Sequence, residues 1–320
     1  MSDVIDLSRR RFLSRSGRAT AGALVAALAP LGQSSSPQRA KTRLVLLGTG
    51  GGPRPKKDRS APAQAIAVDD SIYVVDCGNG VARQMVRAGL SLTRIRGVFI
   101  THQHSDHNAD YGNLLWLAWA SGLASPVATY GPPPLARMTE LFFQMNAYDI
   151  DTRIRDEGRP PFQPLVQAHE ITDGDLVFRD ERVRVTAALV DHPPVVPALA
   201  YRFDGPDRSI VISGDTAPSK ALAELARGAD VLVHEVLYPP AVDRLVAQVP
   251  HATRLKEHML ASHTPVEEAG RIAAAAGVKT LVLSHFVPAD DPSVTAATWQ
   301  EAARAYFKGE VIVGEDLMEI

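Results

Sequence analysis

His102-Gln103-His104-Ser105-Asp106-His107 holds four potential metal ligands within six residues. The segment follows an apolar, strand-like run at residues 97–101 and precedes an apolar, helix-like run at 111–121. A polar loop between a strand and a helix is a common place for functional side chains. The short alternate spacing lets imidazole and carboxylate groups converge on one ion. We therefore predict a metal site here, in preference to an exposed loop of satisfied histidines.

Three other polar segments stand directly after apolar, strand-like runs. They are Asp191-His192, Gly214-Asp215 and Ser284-His285, which follow runs at residues 183–190, 209–213 and 280–284. Strand ends bring distant parts of a chain to one edge of a sheet, so Asp and His residues there are candidate ligands. We expect them to complete the site that the first segment begins.

The rest of the chain alternates between strand-like and helix-like segments. Apolar runs that indicate strands occur at 43–47, 65–68, 72–75, 176–178, 198–203 and 231–236, and a helix is predicted at 265–276. The stretch at 146–167 is polar, contains proline and mixes both charges, which indicates a loop or insertion. Together these elements predict an α+β fold in which two sheets pack face to face between outer helices.

The order of the motifs resembles the metallo-β-lactamase superfamily, and more closely its ribonuclease Z and arylsulfatase-like branch. The resemblance runs from about residue 43 to residue 320 and implies a four-layer αβ/βα sandwich. The motifs that carry it are Leu47-Gly48-Thr49-Gly50, Asp76-Cys77-Gly78, His102-x-His104-x-Asp106-His107, Asp191-His192, Gly214-Asp215-Thr216, His234-Glu235, Ser262-His263-Thr264 and Ser284-His285-Phe286.

The resemblance also implies a centre that holds two metal ions. One ion would be held by His102, His104 and His192, the other by Asp106, His107 and His285, and Asp215 would bridge them. Two ions that share a water molecule lower its pKa, so that a hydroxide nucleophile forms at neutral pH. The family implies two Zn²⁺ ions, and the same ligand types also accept Mn²⁺ or Fe.

Asp106 and His263 are the expected catalytic residues. The resemblance implies that Asp106 orients the nucleophile, and that His263 stabilises developing charge or protonates the leaving group. The segment before Pro265 could instead serve only as a helix start. His234 and Glu235 are expected just outside the ligands, where the carboxylate orients an imidazole. The remaining histidines fit no motif and are expected at the surface: His169, His251 and His258.

The first forty residues have the pattern of an export signal. Ser8-Arg9-Arg10-Arg11-Phe12-Leu13 fits a twin-arginine motif, and an uncharged run at 19–32 follows it that is too short to span a bilayer. We expect a signal and linker at 1–40, a hydrolase domain at 41–320, and a periplasmic or extracellular location reached through the twin-arginine export machinery. The single cysteine, Cys77, excludes an intrachain disulfide.

The predicted metal-ligand motifs indicate the nucleophile more clearly than they indicate the substrate. The net charge of −2 and the mixed charges at 146–167 disfavour a nucleic-acid partner, and export disfavours tRNA 3′ processing. We expect a small-molecule ester, either a sulfate ester or a phosphodiester. The alternatives are lactone or β-lactam opening, a tRNA 3′-processing endonuclease, and a non-catalytic metal-binding protein.

Two further expectations concern the pocket and the assembly. Four aromatic residues are candidates to line a substrate pocket: Trp116, Trp119, Phe142 and Phe143. Relatives in the family are often dimers, so a homodimer is one possibility, although the sequence defines no interface.

Overall fold

The computed structural model describes residues 41–320, in which thirteen strands form two sheets. The first sheet has the strand order β1-β2-β3-β4-β5-β6, and the second has the order β13-β12-β11-β10-β9-β8-β7. The strands of the first sheet are β1 (Thr42–Gly48), β2 (Ala63–Val68), β3 (Ser71–Val75), β4 (Ile95–Phe99), β5 (Val127–Gly131) and β6 (Val166–Glu170). Those of the second are β7 (Asp175–Arg179), β8 (Arg184–His192), β9 (Val195–Asp204), β10 (Ser209–Ile212), β11 (Val231–Leu237), β12 (Thr280–Val287) and β13 (Glu310–Val313).

Ten α-helices connect these strands within residues 41–320. They are α1 (Val81–Arg87), α2 (Ser105–Asn108), α3 (Tyr111–Ala120), α4 (Leu135–Met145), α5 (Ala147–Glu157), α6 (Lys220–Leu225), α7 (Val242–Ala247), α8 (Leu255–Ser262), α9 (Val266–Ala276) and α10 (Ala296–Arg304). No helix in this part of the chain is both long and apolar enough to cross a membrane. The predicted signal and linker at 1–40 lies outside the described residues.

Alternating strand side chains fill separate cores on the two faces of each sheet. In β4, Phe99 points into the core between the sheets, whereas Val98 points into the core beneath the outer helices of the first sheet. A third core lies between the second sheet and its own helices, with Leu222 of α6 and Trp299 of α10 among its members. Three cores between four layers confirm the predicted αβ/βα sandwich.

The stretch at 146–167 differs from the predicted loop, because residues 147–157 form helix α5. Ile150 is buried, and Ile154 packs against the same core one turn later. Arg153 pairs with Asp149 and Glu157, one turn away on either side. The charged residues that suggested a loop therefore occupy the solvated face of an amphipathic helix.

Hydrogen bonds from the C-terminal segment hold the glycine-rich turn after β1 in place. The backbone N–H and C=O groups of Ile320 both pair with Leu44. The Asp316 carboxylate accepts hydrogen bonds from the Thr49 amide at 3.0 Å, the Thr49 hydroxyl at 2.8 Å and the Ser60 amide at 2.6 Å. One carboxylate thus orders both ends of the loop that leads to the ligand cluster described below.

We expect Asp316→Ala to lower the free energy of unfolding by about 2–3 kcal/mol, because several donors lose their acceptor at once. Urea denaturation measures the change. Glu315→Ala, at an exposed neighbouring position, is the matched control and should stay within about 0.5 kcal/mol of the parent protein. Equal losses in the two variants would show that the carboxylate does not hold the turn.

Candidate metal centre

The predicted ligands come together where strand ends of the two sheets meet. The loop after β4 and helix α2 carry His102 to His107, β8 ends at His192, and Asp215 follows β10. His285 lies within β12 at a register shift, where Ser284 pairs with Glu235 and Phe286 pairs with Val236. His285 also has a positive φ of 47°. This bulge turns the His285 side chain out of the regular alternation and toward the other ligands.

The first half-site comprises His102, His104, His192 and one oxygen of Asp215. His104 Nδ1 lies 3.1 Å from His102 Nε2 and 3.2 Å from His192 Nε2. Asp215 Oδ2 lies 3.8 Å from His102 Nε2 and 4.0 Å from His192 Nε2. These four ligand atoms all lie within 4.8 Å of one another.

The second half-site comprises Asp106, His107, His285 and the other oxygen of Asp215. The Nε2 atoms of His107 and His285 are 3.2 Å apart. Asp106 Oδ2 lies 3.6 Å from the first of these nitrogens and 3.5 Å from the second. Asp215 Oδ1 lies 3.3 Å and 3.1 Å from the same two atoms.

The geometry fits two ions that share Asp215. Ligand atoms that surround a tetrahedral zinc ion at 2.0–2.1 Å are separated from one another by roughly 3.3 Å, which matches most of these distances. Asp215 Oδ1 is buried and has no hydrogen-bond partner among the described residues. A buried carboxylate oxygen without a donor is expected where a cation completes its environment.

Several ligands are held in the tautomer that metal binding needs. His107 Nδ1 lies 2.7 Å from Asp76 Oδ2, and His192 Nδ1 donates to the Ser262 carbonyl at 2.9 Å, so both rings direct Nε2 at the centre. Burial lowers the pKa of His192 to about 4 and lowers the pKa of His102 as well, which keeps these imidazoles neutral.

Asp76 also contributes to the site, although the sequence predicted no role for it there. Its carboxylate accepts from the Thr101 amide at 2.8 Å while it contacts His107. Two signals were available: its place in the motif Asp76-Cys77-Gly78, and its position directly after β3, at the same edge of the sheet as the ligand loop.

Glu235 orients His263, whereas His234 lies outside the site. The Glu235 carboxylate contacts His263 Nδ1 at 3.1 Å and accepts from the amides of Thr216 at 3.0 Å and Thr264 at 3.2 Å. His234 donates from Nδ1 to the Glu235 carbonyl at 2.7 Å and points to the opposite face of β11. Consecutive strand residues point to opposite faces, so the imidazole that the Glu235 carboxylate orients is that of His263 and not that of its neighbour His234.

The environment of His263 favours its protonated form. Burial by itself would lower the pKa, but the neighbouring Glu235 and Asp215 carboxylates outweigh it and raise the pKa to about 9. Because Nδ1 faces Glu235, Nε2 is the ring nitrogen available to a reacting group. His263 could also join Asp215 and His285 as a ligand, but its bond to Glu235 suits a proton donor better.

A cavity of about 300 Å³ opens in front of the ligands. Asp106, Asp215, His263 and His285 line it on one side. The opposite wall is apolar and comes from α7, α8 and the turn between them: Leu245, Val249, Leu255 and Met259. Arg54 and Lys56 stand at the cavity wall in the loop after β1.

The aromatic residues expected in the pocket lie elsewhere. Trp119 stacks on Phe162 with ring centroids 5.2 Å apart, and Trp116 contacts Phe142 edge-on. Within residues 41–320, none of the four candidates lines the cavity. Their spacing on α3 and α4 reflects packing of the outer helix layer instead.

His258 also differs from expectation. His169 and His251 are exposed as predicted, whereas His258 lines the cavity. Its ring centroid lies within 6.0 Å of those of His104, His192 and His263.

Comparisons with known proteins agree with this geometry. The family described as "Beta-lactamase superfamily domain" matches residues 72–286. A Ribonuclease Z from Mycobacterium bovis is 35% identical over 280 residues, which cover 87% of this chain and 97% of that protein. The structure of human tRNase Z, short form, has a TM-score of 0.63 and 22% identity, and covers 87% of this chain and 98% of that one. A metallo-β-lactamase-fold protein from Bacillus subtilis has a TM-score of 0.64 and 19% identity, with coverage of 87% and 98%.

These relatives correct the expected location. The prediction of a periplasmic or extracellular enzyme is wrong, because the curated proteins that match 87% of the chain are ribonucleases by name. Export is one of the two observations that disfavour tRNA processing, the other being the mixed charges at residues 146–167. The twin-arginine interpretation rests on residues outside the described part of the chain.

We expect the parent protein to bind two zinc ions per chain, and His104→Ala and His285→Ala each to bind one, since each variant loses a ligand from a different half-site. Asp215→Ala removes a ligand from both and should lower the content further. Inductively coupled plasma mass spectrometry of dialysed protein measures the ratio. His169→Ala, an exposed histidine, is the control and should keep full occupancy. Retention of both ions by Asp215→Ala would contradict the bridging role.

Proposed function

This chain belongs to the metallo-β-lactamase superfamily and is a metal-dependent hydrolase of ester bonds, and on that premise we propose that it cleaves phosphodiester bonds in RNA, as ribonuclease Z does. The observation that carries the proposal is the match to curated ribonucleases over 87% of the chain. The motifs alone favoured a small sulfate ester or phosphodiester, with tRNA 3′ processing among the alternatives. The names of the relatives support an RNA substrate over a small ester.

The site residues suit this reaction. Two ions held by the seven ligands would supply an activated water and neutralise charge on the phosphate. His263 holds a proton at Nε2 that can pass to the departing oxygen, and Glu235 keeps the ring in position. Asp106 is itself oriented by the Gly52 amide, which donates to Oδ2 at 2.9 Å.

The cavity wall provides positive charge for a phosphate backbone. Lys56 Nζ donates to the carbonyls of Gly52 at 2.7 Å and Arg54 at 2.9 Å, which fixes the amine near the ligands. Burial lowers the pKa of Lys56 to about 8, although Asp106 and Asp290 oppose the shift. The side chain therefore stays mainly charged at neutral pH.

A second candidate is a small phosphodiester. It is favoured by the limited volume of the cavity and by its apolar wall, which resemble a small-molecule site. Helix α5 also packs onto the body of the protein, so residues 146–167 do not form a projecting arm for an RNA.

We expect the zinc-loaded protein to release the 3′ trailer from a precursor tRNA, and Asp215→Ala to abolish the release. Gel analysis of end-labelled RNA measures the cleavage, with Asp243→Ala on the exposed face of α7 as the control. Turnover of bis-p-nitrophenyl phosphate without RNA cleavage would favour the small phosphodiester. Turnover of only p-nitrophenyl sulfate, a lactone or a β-lactam would overturn both candidates.

We expect Glu235→Gln to lower kcat on RNA by about 10- to 100-fold, with metal content retained. The amide keeps the size of the side chain but no longer stabilises a protonated His263. The loss should be much smaller on bis-p-nitrophenyl phosphate, because p-nitrophenolate departs without a proton. Glu268→Gln, at an exposed ion pair on α9, is the control. An equal loss on the two substrates would argue against proton donation by His263.

A further inference from the structure

Helix α8 presents a face of mixed chemistry to the cavity. Leu255, His258 and Met259 occupy positions i, i+3 and i+4, so they share one face of the helix, and all three line the cavity. Ser262, one turn beyond His258, contacts its ring. None of these four side chains belongs to the predicted ligand set.

The hydrogen bonds of Ser262 define the state of His258. The Ser262 hydroxyl has one hydrogen, which it donates to the Pro193 carbonyl. Ser262 Oγ must therefore accept from His258 Nδ1, which lies 3.2 Å away. In the neutral ring this places the proton on Nδ1 and leaves a lone pair on Nε2.

The free nitrogen stands beside the metal ligands and is open to a bound molecule. The ring centroid of His258 lies 5.8 Å from that of His192 and 6.0 Å from that of His104, both in the first half-site. Within residues 41–320, His258 Nε2 makes no hydrogen bond, and this nitrogen is not fully buried. It is thus an accessible acceptor within reach of a substrate at the centre.

The apolar side chains around His258 suit a planar ring. Leu255 and Met259 stand next to it on α8, and Leu245 and Val249 continue the same wall. Burial against such a wall favours an uncharged, weakly polar surface, such as the face of a nucleobase. A molecule that joins a phosphate to a hydroxyl donor and a flat ring has the chemistry of a nucleotide.

We propose that this face of α8 is a nucleoside subsite, in which His258 Nε2 accepts the ribose 2′-hydroxyl and the apolar wall covers the base. The proposal rests on the RNA substrate proposed above. It makes His258 a positioning residue that distinguishes RNA from DNA, since the 2′-hydroxyl is the group that differs between them.

Binding of nucleotides to the metal-loaded protein tests the subsite without requiring turnover. Isothermal titration calorimetry would compare uridine 3′-monophosphate, its 2′-deoxy counterpart and inorganic phosphate. We expect the parent protein to bind the ribonucleotide about tenfold more tightly than the deoxyribonucleotide, the effect of one good hydrogen bond. His258→Phe and His258→Ala should bring this ratio close to one, and His258→Gln, which keeps an acceptor, should restore part of it.

A second pair of variants tests the apolar wall. Met259→Ala should weaken both nucleotides by a similar factor and leave inorganic phosphate unchanged. Leu260→Ala, an exposed leucine next to it on α8, is the matched control and should change none of the three.

The outcomes separate the subsite from the proposed function. Equal binding of the two nucleotides by the parent protein, or an unchanged ratio in His258→Phe, overturns the subsite even if RNA is cleaved. A preference that depends on His258 in a protein that leaves RNA intact supports the subsite and assigns it to a small nucleotide substrate.

Discussion

The buried carboxylate of Asp215 is the constraint around which the rest of the site is arranged. A carboxylate removed from water is unfavourable by several kcal/mol unless positive charge or donors surround it. In the described part of the chain no donor bonds Asp215 Oδ1, and the Nε2 atoms of His107 and His285 lie within 3.3 Å of it. Strands from both sheets must end at this point, so the stacking of the two sheets and the assembly of the cluster depend on each other. Gly214 allows the approach, because its φ is 58° and a Cβ would lie 2.7 Å from the Leu199 carbonyl oxygen.

Around the ligands lies a layer of groups that hold the rings in place. Asp76 fixes His107, the Ser262 carbonyl fixes His192, and Glu235 fixes His263. Ser262 serves two histidines through different atoms, since its carbonyl binds His192 and its hydroxyl binds His258. The rings of the ligand His192 and of His258 in the cavity are therefore both held by Ser262. A shift of the C-terminal end of α8 would move the two rings together.

The sequence predicted the parts of this arrangement that depend on local pattern. A dense run of ligands after an apolar strand identifies the centre, and polar residues after three other strands supply its remaining members. What the sequence could not predict depends on packing between distant segments. Helix α5 was predicted as a loop because its many charged residues outnumber the few apolar residues that face the core. The orientation of Glu235 toward His263 depends on which face of β11 meets the segment that follows α8. His258 belongs to no sequence motif, and only the fold shows that it lies beside the metal ligands.

The hydrogen bonds between Asp316 and the turn after β1 affect when, during synthesis of the chain, this part of the fold can form. The turn lies near the start of the described fold and leaves the ribosome early, whereas the carboxylate that fastens it is among the last groups of that fold to be synthesised. Gly52, whose amide orients Asp106, belongs to this turn. The hydrogen bonds that order this turn can therefore form only once the C-terminal end of the domain has been synthesised.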